Sequence, residues 1–327
     1  MGDKDDGIQI GHYEDWMFDQ VIDMIVAQYG RDRDNEARLF KLFYESPFQR
    51  PNGIRLVARE GETVCGFQSY FFWPYMYRGQ RLRTFQSGNS LVSPDYRGRR
   101  IFARLLNHLE ETQDRPPIDF LVGFPVEMSY GSFIRNGWDN PFDLTWMVRL
   151  IRPLSIVKAH EPSDADWHLD RSPEPVKALY PDQRFALSQD EDFVSWRREY
   201  AGAEAPYRYY HHQVSGKTVR FGLKPNRRGR LNELILGEIV RDDPDPELLS
   251  TGLRALVRAV RGHPFVTMLS IALNADSSDP HLLSALRRRG FFRIQKKMYF
   301  ILKTLGSLEG TTDPQGWDVF RSDVDTW

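Results

Sequence analysis

The sequence predicts a mixed α/β protein (an α+β mixed sheet) in which one folding unit is followed by a second of similar plan. Three observations carry this. Between Ile8 and Ile151 the alternation of apolar patterns and turn residues reads β-α-α-β-β-β-α-β-α-β. Near the middle of that stretch, an apolar strand runs through a tight basic turn straight into an amphipathic helix. Beyond a segment rich in proline and charge, the order strand–helix–strand–helix–glycine–aromatic–strand recurs between Leu231 and Leu302. A chain of 327 residues has room for two such domains.

The elements follow in order. Ile8–Tyr13 alternates as a short strand. Asp15 or Asp19 starts a helix with Phe18, Val21, Ile22 and Ile25 on one face, and a second helix carries Ala37, Phe40, Leu42, Phe43 and Tyr44 until Pro47. Ile54–Arg59 and Thr63–Trp73 flank the turn Glu60-Gly61-Glu62 as a hairpin. Leu82–Ser93 is the strand that feeds the basic turn. A helix runs from Ile101 to about Thr112, where Asp114-Arg115-Pro116-Pro117 stops it. Ile118–Phe124 is a buried strand, Ser129–Asn136 a short helix closed by Gly137, and Leu144–Ile151 the last strand of this half.

The turn is Arg97-Gly98-Arg99-Arg100, entered through Val92-Ser93-Pro94-Asp95 and left through Ile101, Leu105, Leu106 and Leu109 at helical spacing. A helix N-terminus presents unpaired N–H groups and the positive end of the dipole, so it suits a phosphate group. On residues alone, a phosphate cradle and a plain strand-to-helix connection remain equally open. The patterns of a Walker loop and of the dinucleotide fingerprint are absent.

Val92, Pro94, Arg97 and Gly98, with the apolar helix behind them, resemble motif A of the GNAT N-acyltransferases, V-x-P-x-x-R-G-x-G-x-G/A. Phe133-Ile134-Arg135-Asn136-Gly137-Trp138 is similar to that family's Y-x-x-x-G-F ending, so the resemblance extends over about Ile8–Ile151. It implies that Leu91, Val92 and Ser93 pair with the pantetheine of an acyl-CoA such as acetyl-CoA. It further implies that the Arg97, Gly98, Arg99, Arg100, Ile101 and Phe102 segment holds the pyrophosphate, and that Ser129 and Phe133 complete the cofactor set. Arg100 replaces a family glycine; with helical backbone angles it can still offer its N–H. A backbone N–H near Val92 is the implied donor to the thioester carbonyl.

The second half carries Arg241-Asp242-Asp243-Pro244-Asp245-Pro246 where the first has its basic turn. Carboxylates repel a pyrophosphate. The sequence is therefore read as two tandem GNAT-like domains, the second degenerate. The expected boundaries are 7–151 for the acyl-CoA domain, 152–184 for a linker, 185–305 for the second domain and 306–327 for a tail whose Trp317, Phe320 and Trp327 suggest docking. The layout resembles bacterial tandem enzymes that acylate amino sugars on nucleotide carriers.

Catalytic groups are harder to place. GNAT members often carry a carboxylate on the strand before the turn and a tyrosine on the later helix. Here Gln86-Ser87-Gly88-Asn89-Ser90 has no ionisable side chain, and Phe133 stands at the tyrosine position. Glu127 and Tyr130 are the nearest substitutes for base and acid. Glu127 also suffices as a first-turn carboxylate on the helix dipole. The alternative is a weakly basic amine deprotonated by water that Gln86 and Asn89 orient, and the sequence favours it.

Composition narrows the rest. Lys plus Arg is 44 against 45 Asp plus Glu, a net charge of −1, which argues against broad nucleic-acid binding. Cys65 is the one cysteine, so no internal disulfide forms and a reducing cytoplasm is the expected home. The start of the chain is acidic with no apolar core, and no apolar run reaches the ~20 residues that span a bilayer. His211-His212 lies in a strand, where neighbours face opposite ways, so no metal is expected. Pro225–Arg230 reads as a basic hairpin tip. The sequence thus points to an acyl-CoA-dependent N-acyltransferase acting on a small amine. A FemAB-like aminoacyl transferase and a non-catalytic acyl-CoA-binding module are the alternatives, and oligomeric state is left open.

Overall fold

The computed structural model describes residues 7–111, 117–152, 162–163, 166–180, 182–202, 206–277 and 279–324. The readings at the acidic start, at the helix stop 114–116, at 153–161, 164–165 and 181 of the linker, and at Trp327 lie outside these residues. In chain order the first elements are β1 (Ile8–His12), α1 (Phe18–Tyr29), α2 (Arg33–Tyr44), β2 (Ile54–Glu60), β3 (Thr63–Phe72), β4 (Tyr75–Tyr77), β5 (Gln80–Arg81) and β6 (Thr84–Val92). Then come α3 (Ile101–Glu111), β7 (Phe120–Gly123), α4 (Glu127–Arg135), β8 (Asp139–Asp143), β9 (Thr145–Leu150), β10 (Phe185–Leu187) and α5 (Glu191–Gly202). The remainder is β11 (Arg208–Val214), β12 (Lys217–Arg228), β13 (Leu231–Arg241), α6 (Pro246–Arg261), β14 (Met268–Leu273), α7 (Pro280–Arg288), β15 (Phe292–Arg293), β16 (Tyr299–Thr304) and β17 (Trp317–Asp318).

The chain divides into two compact units. The first takes the residues up to Tyr75, Leu82–Pro141 and Tyr299–Thr312. Its seven-stranded sheet has the order β1-β2-β3-β6-β7-β16-β8, with β6 and β7 parallel. Aromatic residues of β3 meet α2 on one face: Phe67 lies 6.2 Å from Phe40, and Phe71 lies edge-on to Phe43 at 4.9 Å. On the other face Ile101, Leu105, Leu106 and Leu109 of α3 are buried against Leu56, Ala58, Tyr70 and Phe85. This is the stripe read from helical spacing. The helix comes so close to β3 that a Cβ on Gly66 would meet Ile101 Cγ2 at 2.8 Å and Leu105 Cδ1 at 3.2 Å. Gly66→Ala is therefore expected to lower stability by roughly 1–3 kcal/mol in denaturant titration, the usual cost of overpacking.

The second unit takes Met76–Arg81, Phe142–Met298 and the chain from Asp313. Its six-stranded sheet runs β11-β12-β13-β14-β9-β15, with β13 and β14 parallel and joined by α6. A small sheet, β17-β10-β4-β5, stacks Phe185 between Tyr77 at 4.2 Å and Trp317 at 4.5 Å.

Two strands change place relative to the sequence reading. The strand expected to end the first domain, β9, pairs with β14 and β15 of the second unit's sheet. The strand expected to end the second domain, β16, pairs with β7 in the first unit's sheet. The boundaries 7–151 and 185–305 are corrected accordingly: the first unit extends to Tyr299–Thr312, and the second begins its main body at Phe142. The reason is physical. Both are short buried strands, and an apolar run specifies burial in a sheet but not which sheet. The segment around Trp317 is packed, with Trp317 and Val319 buried in the second unit.

Candidate acyl-CoA site

The site begins where two parallel strands part. β6 and β7 pair from Thr84↔Phe120 to Ser87↔Gly123, where β7 ends, while β6 continues to Val92. The register of β3 against β6 shifts between Phe67↔Leu91 and Ser69↔Gly88, which leaves one extra residue on β6. That bulge contains Asn89 at φ 48°, a left-handed conformation that asparagine tolerates better than most residues. Its side chain secures it: Asn89 Nδ2 donates to Tyr44 Oη at 2.7 Å, Tyr44 Oη is 2.7 Å from Ser69 Oγ, and Ser69 Oγ reaches the Gly88 carbonyl at 2.8 Å. Asn89 is thereby held in the frame of the bulge. Gln86 is buried next to Phe85, and alternation along the strand turns it to the face opposite α3.

Past the bulge, Leu91, Val92, Ser93 and Arg97 come together. They line a cavity of about 390 Å³ with Met24, Ala27 and Val64. The turn that follows is sharply bent. Gly98 has φ 84°, and Arg100 has φ 59°. The sequence reading gave Arg100 helical angles, and this is corrected: it is left-handed. Its carbonyl accepts from Arg104 N at 3.1 Å, so Arg100 stands at the N-cap of α3. A glycine at this position would match the backbone the turn requires. The guanidinium of Arg97 turns toward Gln28 Oε1 at 3.3 Å and the Val92 carbonyl at 3.4 Å, and that of Arg99 lies over Tyr96 and 3.5 Å from Glu60. Arg100 is exposed. Ile101 is buried, and Phe102 packs edge-on to Phe133 at 5.1 Å.

Phe133 itself is only 4% exposed, between Phe102 and Trp138, so it is a core residue, and it does not line the cavity beside Leu91, Val92 and Ser93. A ring without a hydroxyl gains most from burial. Ser129 lies in the first turn of α4, where its hydroxyl donates to the Val126 carbonyl at 3.2 Å.

A polar cluster occupies the start of α4, just past β7. Tyr299 Oη donates to Glu127 Oε2 at 2.5 Å. Tyr130 stacks on Tyr299 at 4.1 Å, and its own hydroxyl donates to Asn140 Oδ1 at 3.1 Å. The hydroxyl beside Glu127 therefore comes from Tyr299, which sequence reasoning missed. It stands 172 positions away on a strand assigned to the other half, and no local pattern signals such a pair.

Cys65 is fully buried, its thiol donating to the Ala58 carbonyl at 3.3 Å, and burial pushes its pKa up to about 11. The neutral thiol thus persists at physiological pH. Native protein is expected to resist an alkylating reagent that labels the denatured chain at once, as intact-mass measurement would record.

The second unit offers a counterpart with opposite chemistry. β13 and β14 pair over Glu233–Leu236 and Met268–Ile271, and β13 then carries a register shift and runs on to Arg241. Its open end is closed by the chain itself. Leu179 N donates to the Arg241 carbonyl at 2.8 Å, and Asn274 N donates to the Val319 carbonyl at 2.9 Å. The N-terminus of α6 is capped by Asp245, which accepts from Glu247 N, and Lys217 lies 3.1 Å from Asp243 and 3.0 Å from Asp245.

The fold is that of the GCN5-related N-acetyltransferases. An N-acetyltransferase of that type from Anabaena variabilis superposes with a TM-score of 0.62 at 11% identity, over 91% of this chain and 73% of that one. One from Kribbella flavida gives 0.58 at 13%, over 91% and 72%. The Saccharomyces cerevisiae N-myristoyltransferase with bound myristoyl-CoA gives 0.51 at 13%, over 98% and 84%. No family model matches the sequence, and no curated protein matches it.

Proposed function

We propose that this protein is an acyl-CoA-dependent N-acyltransferase with one cofactor site, in the first unit. The observation that carries the reading is the parting of β6 from β7, with the bulged end of β6 leading through the Gly98–Arg100 turn into α3. A strand end with no β7 beside it supplies backbone groups for the pantetheine amides, in the manner of strand addition. Leu91, Val92 and Ser93 fill that role, and an N–H near Val92 faces the developing oxyanion. The first N–H groups of α3, at Ile101 and Phe102, with Gly98 and the Arg97 and Arg99 charges, hold the pyrophosphate, and Arg100 contributes through its backbone at the N-cap. Structural neighbours that are N-acetyltransferases, and one crystallised with myristoyl-CoA, support the reaction class.

The second unit we read as a tandem copy that has lost the cofactor. Its carboxylates already cap α6, and Leu179 and Val319 take the backbone positions a pantetheine would use. The acceptor is a small amine, and an amino sugar on a nucleotide carrier is the first to test. Its amine is less basic than lysine's, which suits a β6 with amides and no carboxylate. Among the described residues no helix is long and apolar enough to cross a membrane. The buried, neutral Cys65 suits a reducing cytoplasm.

Thiol release from acetyl-CoA across a panel of amines is the direct test. Calorimetry with coenzyme A should give one site per chain. Two sites would overturn the assignment of the second unit. Binding without thiol release for any amine or acyl chain would make the protein an acyl-CoA-binding module.

A further inference from the structure

We propose that Glu127 and Tyr299 form a single proton relay that serves both the attacking amine and the leaving thiolate. The inference rests on the acyltransferase reading and deepens it. Two groups common in the fold are missing: β6 has no carboxylate, and Phe133 lies in the core where a tyrosine acid would stand. A carboxylate and a phenol nevertheless meet close by, 2.5 Å apart. Glu127 opens α4 and is exposed, so a substrate amine has access to it. Tyr299 is 8% exposed and opens β16 two residues before Ile301, the partner of Gly123. It thus stands at the level where β6 and β7 have already parted.

The pair is preorganised. Tyr130 clamps the Tyr299 ring by stacking, Asn140 fixes the Tyr130 hydroxyl, and Asn140 Nδ2 donates to the Phe300 carbonyl at 2.8 Å. Tyr130 is therefore a positioning residue. As the N–C bond forms, the amine proton passes to Glu127. The C–S bond then breaks, and the thiolate takes the proton of Tyr299 Oη. Glu127 returns its proton to the phenolate along their hydrogen bond. One proton leaves nitrogen, one reaches sulfur, and both side chains end as they began, with no further reactant.

A double-mutant cycle decides the matter. Glu127→Gln keeps the shape and an acceptor, and Tyr299→Phe keeps the ring. If the two act as one relay, each lowers kcat by ~10²–10⁴-fold, the usual worth of a positioned acid or base. The double variant should then be no slower than the worse single one. Coenzyme A affinity by calorimetry should stay within about threefold in all three variants, given that neither group belongs to the turn. A purely structural tie between α4 and β16 would lower the thermal midpoint and leave kcat of the folded protein intact, which would overturn the relay. Multiplicative losses in the double variant would overturn it as well, by showing two independent roles. Wild-type protein that binds acyl-CoA but releases no thiol would overturn the acyltransferase reading, and the relay with it. Wild-type turnover with unaffected variants would overturn the relay alone.

Discussion

Gly98→Asp is expected to abolish coenzyme A binding while leaving the protein folded. Gly98 sits at φ 84°, and an added Cβ there finds no atom within 4 Å. The substitution therefore has no packing clash. Its structural cost is the left-handed backbone, about 1–2 kcal/mol for a residue with a Cβ. The new carboxylate would lie at the entry to α3, where it would take the N–H groups proposed to hold the phosphate and repel the ligand's charge. A loss of at least about 100-fold in affinity, ~2.7 kcal/mol, is expected from calorimetry. The opposite result is expected at Arg100. Arg100→Gly removes a strained left-handed residue, at φ 59°, and should leave affinity within a few-fold. Arg100→Ala keeps the strain and removes the guanidinium. Equal large losses in Arg100→Gly and Arg100→Ala would show that the side chain itself grips a phosphate. Retained binding in Gly98→Asp would remove this turn from the site.

What the sequence revealed and what it hid follow one division. The stretch from Leu91 to Leu109 was legible because helical spacing, Pro94 and Gly98 are local signals, and local signals suffice for a strand, a turn and a helix. The acidic turn at Asp242–Asp245 was legible in its sign of charge, and the structure adds that it caps α6 and pairs with Lys217. The conformation of Arg100 was missed, because arginine gives no warning of a left-handed backbone; the family glycine at that position was the available hint. Asn89 carried such a hint too, as an asparagine after a glycine inside a strand pattern. The sequence casts it as a holder of water, whereas its side chain secures the bulge through Tyr44. The Glu127–Tyr299 pair was invisible for a different reason. It depends on β16 joining the first unit's sheet, and sheet membership is decided by partners far away in sequence.

That exchange of strands predicts the largest effect on folding. A fragment that ends at Arg152, near the boundary the sequence suggested, is expected not to fold. It lacks Tyr299, Phe300, Ile301 and Leu302, all buried and all in the strand beside β7. At ~1.5–3 kcal/mol for each large apolar side chain withdrawn from water, the loss is roughly 6–12 kcal/mol. That equals the whole stability of an ordinary domain, about 5–15 kcal/mol. The fragment also bares the edge of β7, a template for pairing with another chain. It keeps Trp146, Met147 and Val148 besides, which are buried in the second unit's sheet and would have no sheet to enter. Aggregation and a heteronuclear spectrum without dispersion are the expected observations. Supplying Tyr299–Thr312 through a short linker after Pro141, with residues 142–152 removed, should restore order, since it returns the missing strand and deletes the orphaned one. A soluble, cooperatively unfolding fragment ending at Arg152 would show that the first unit does not need its distant strand. In the intact chain the same dependence should make both units melt in one calorimetric transition. Each sheet contains a strand whose neighbours in sequence belong to the other unit, so losing either unit pulls a strand from the one that remains.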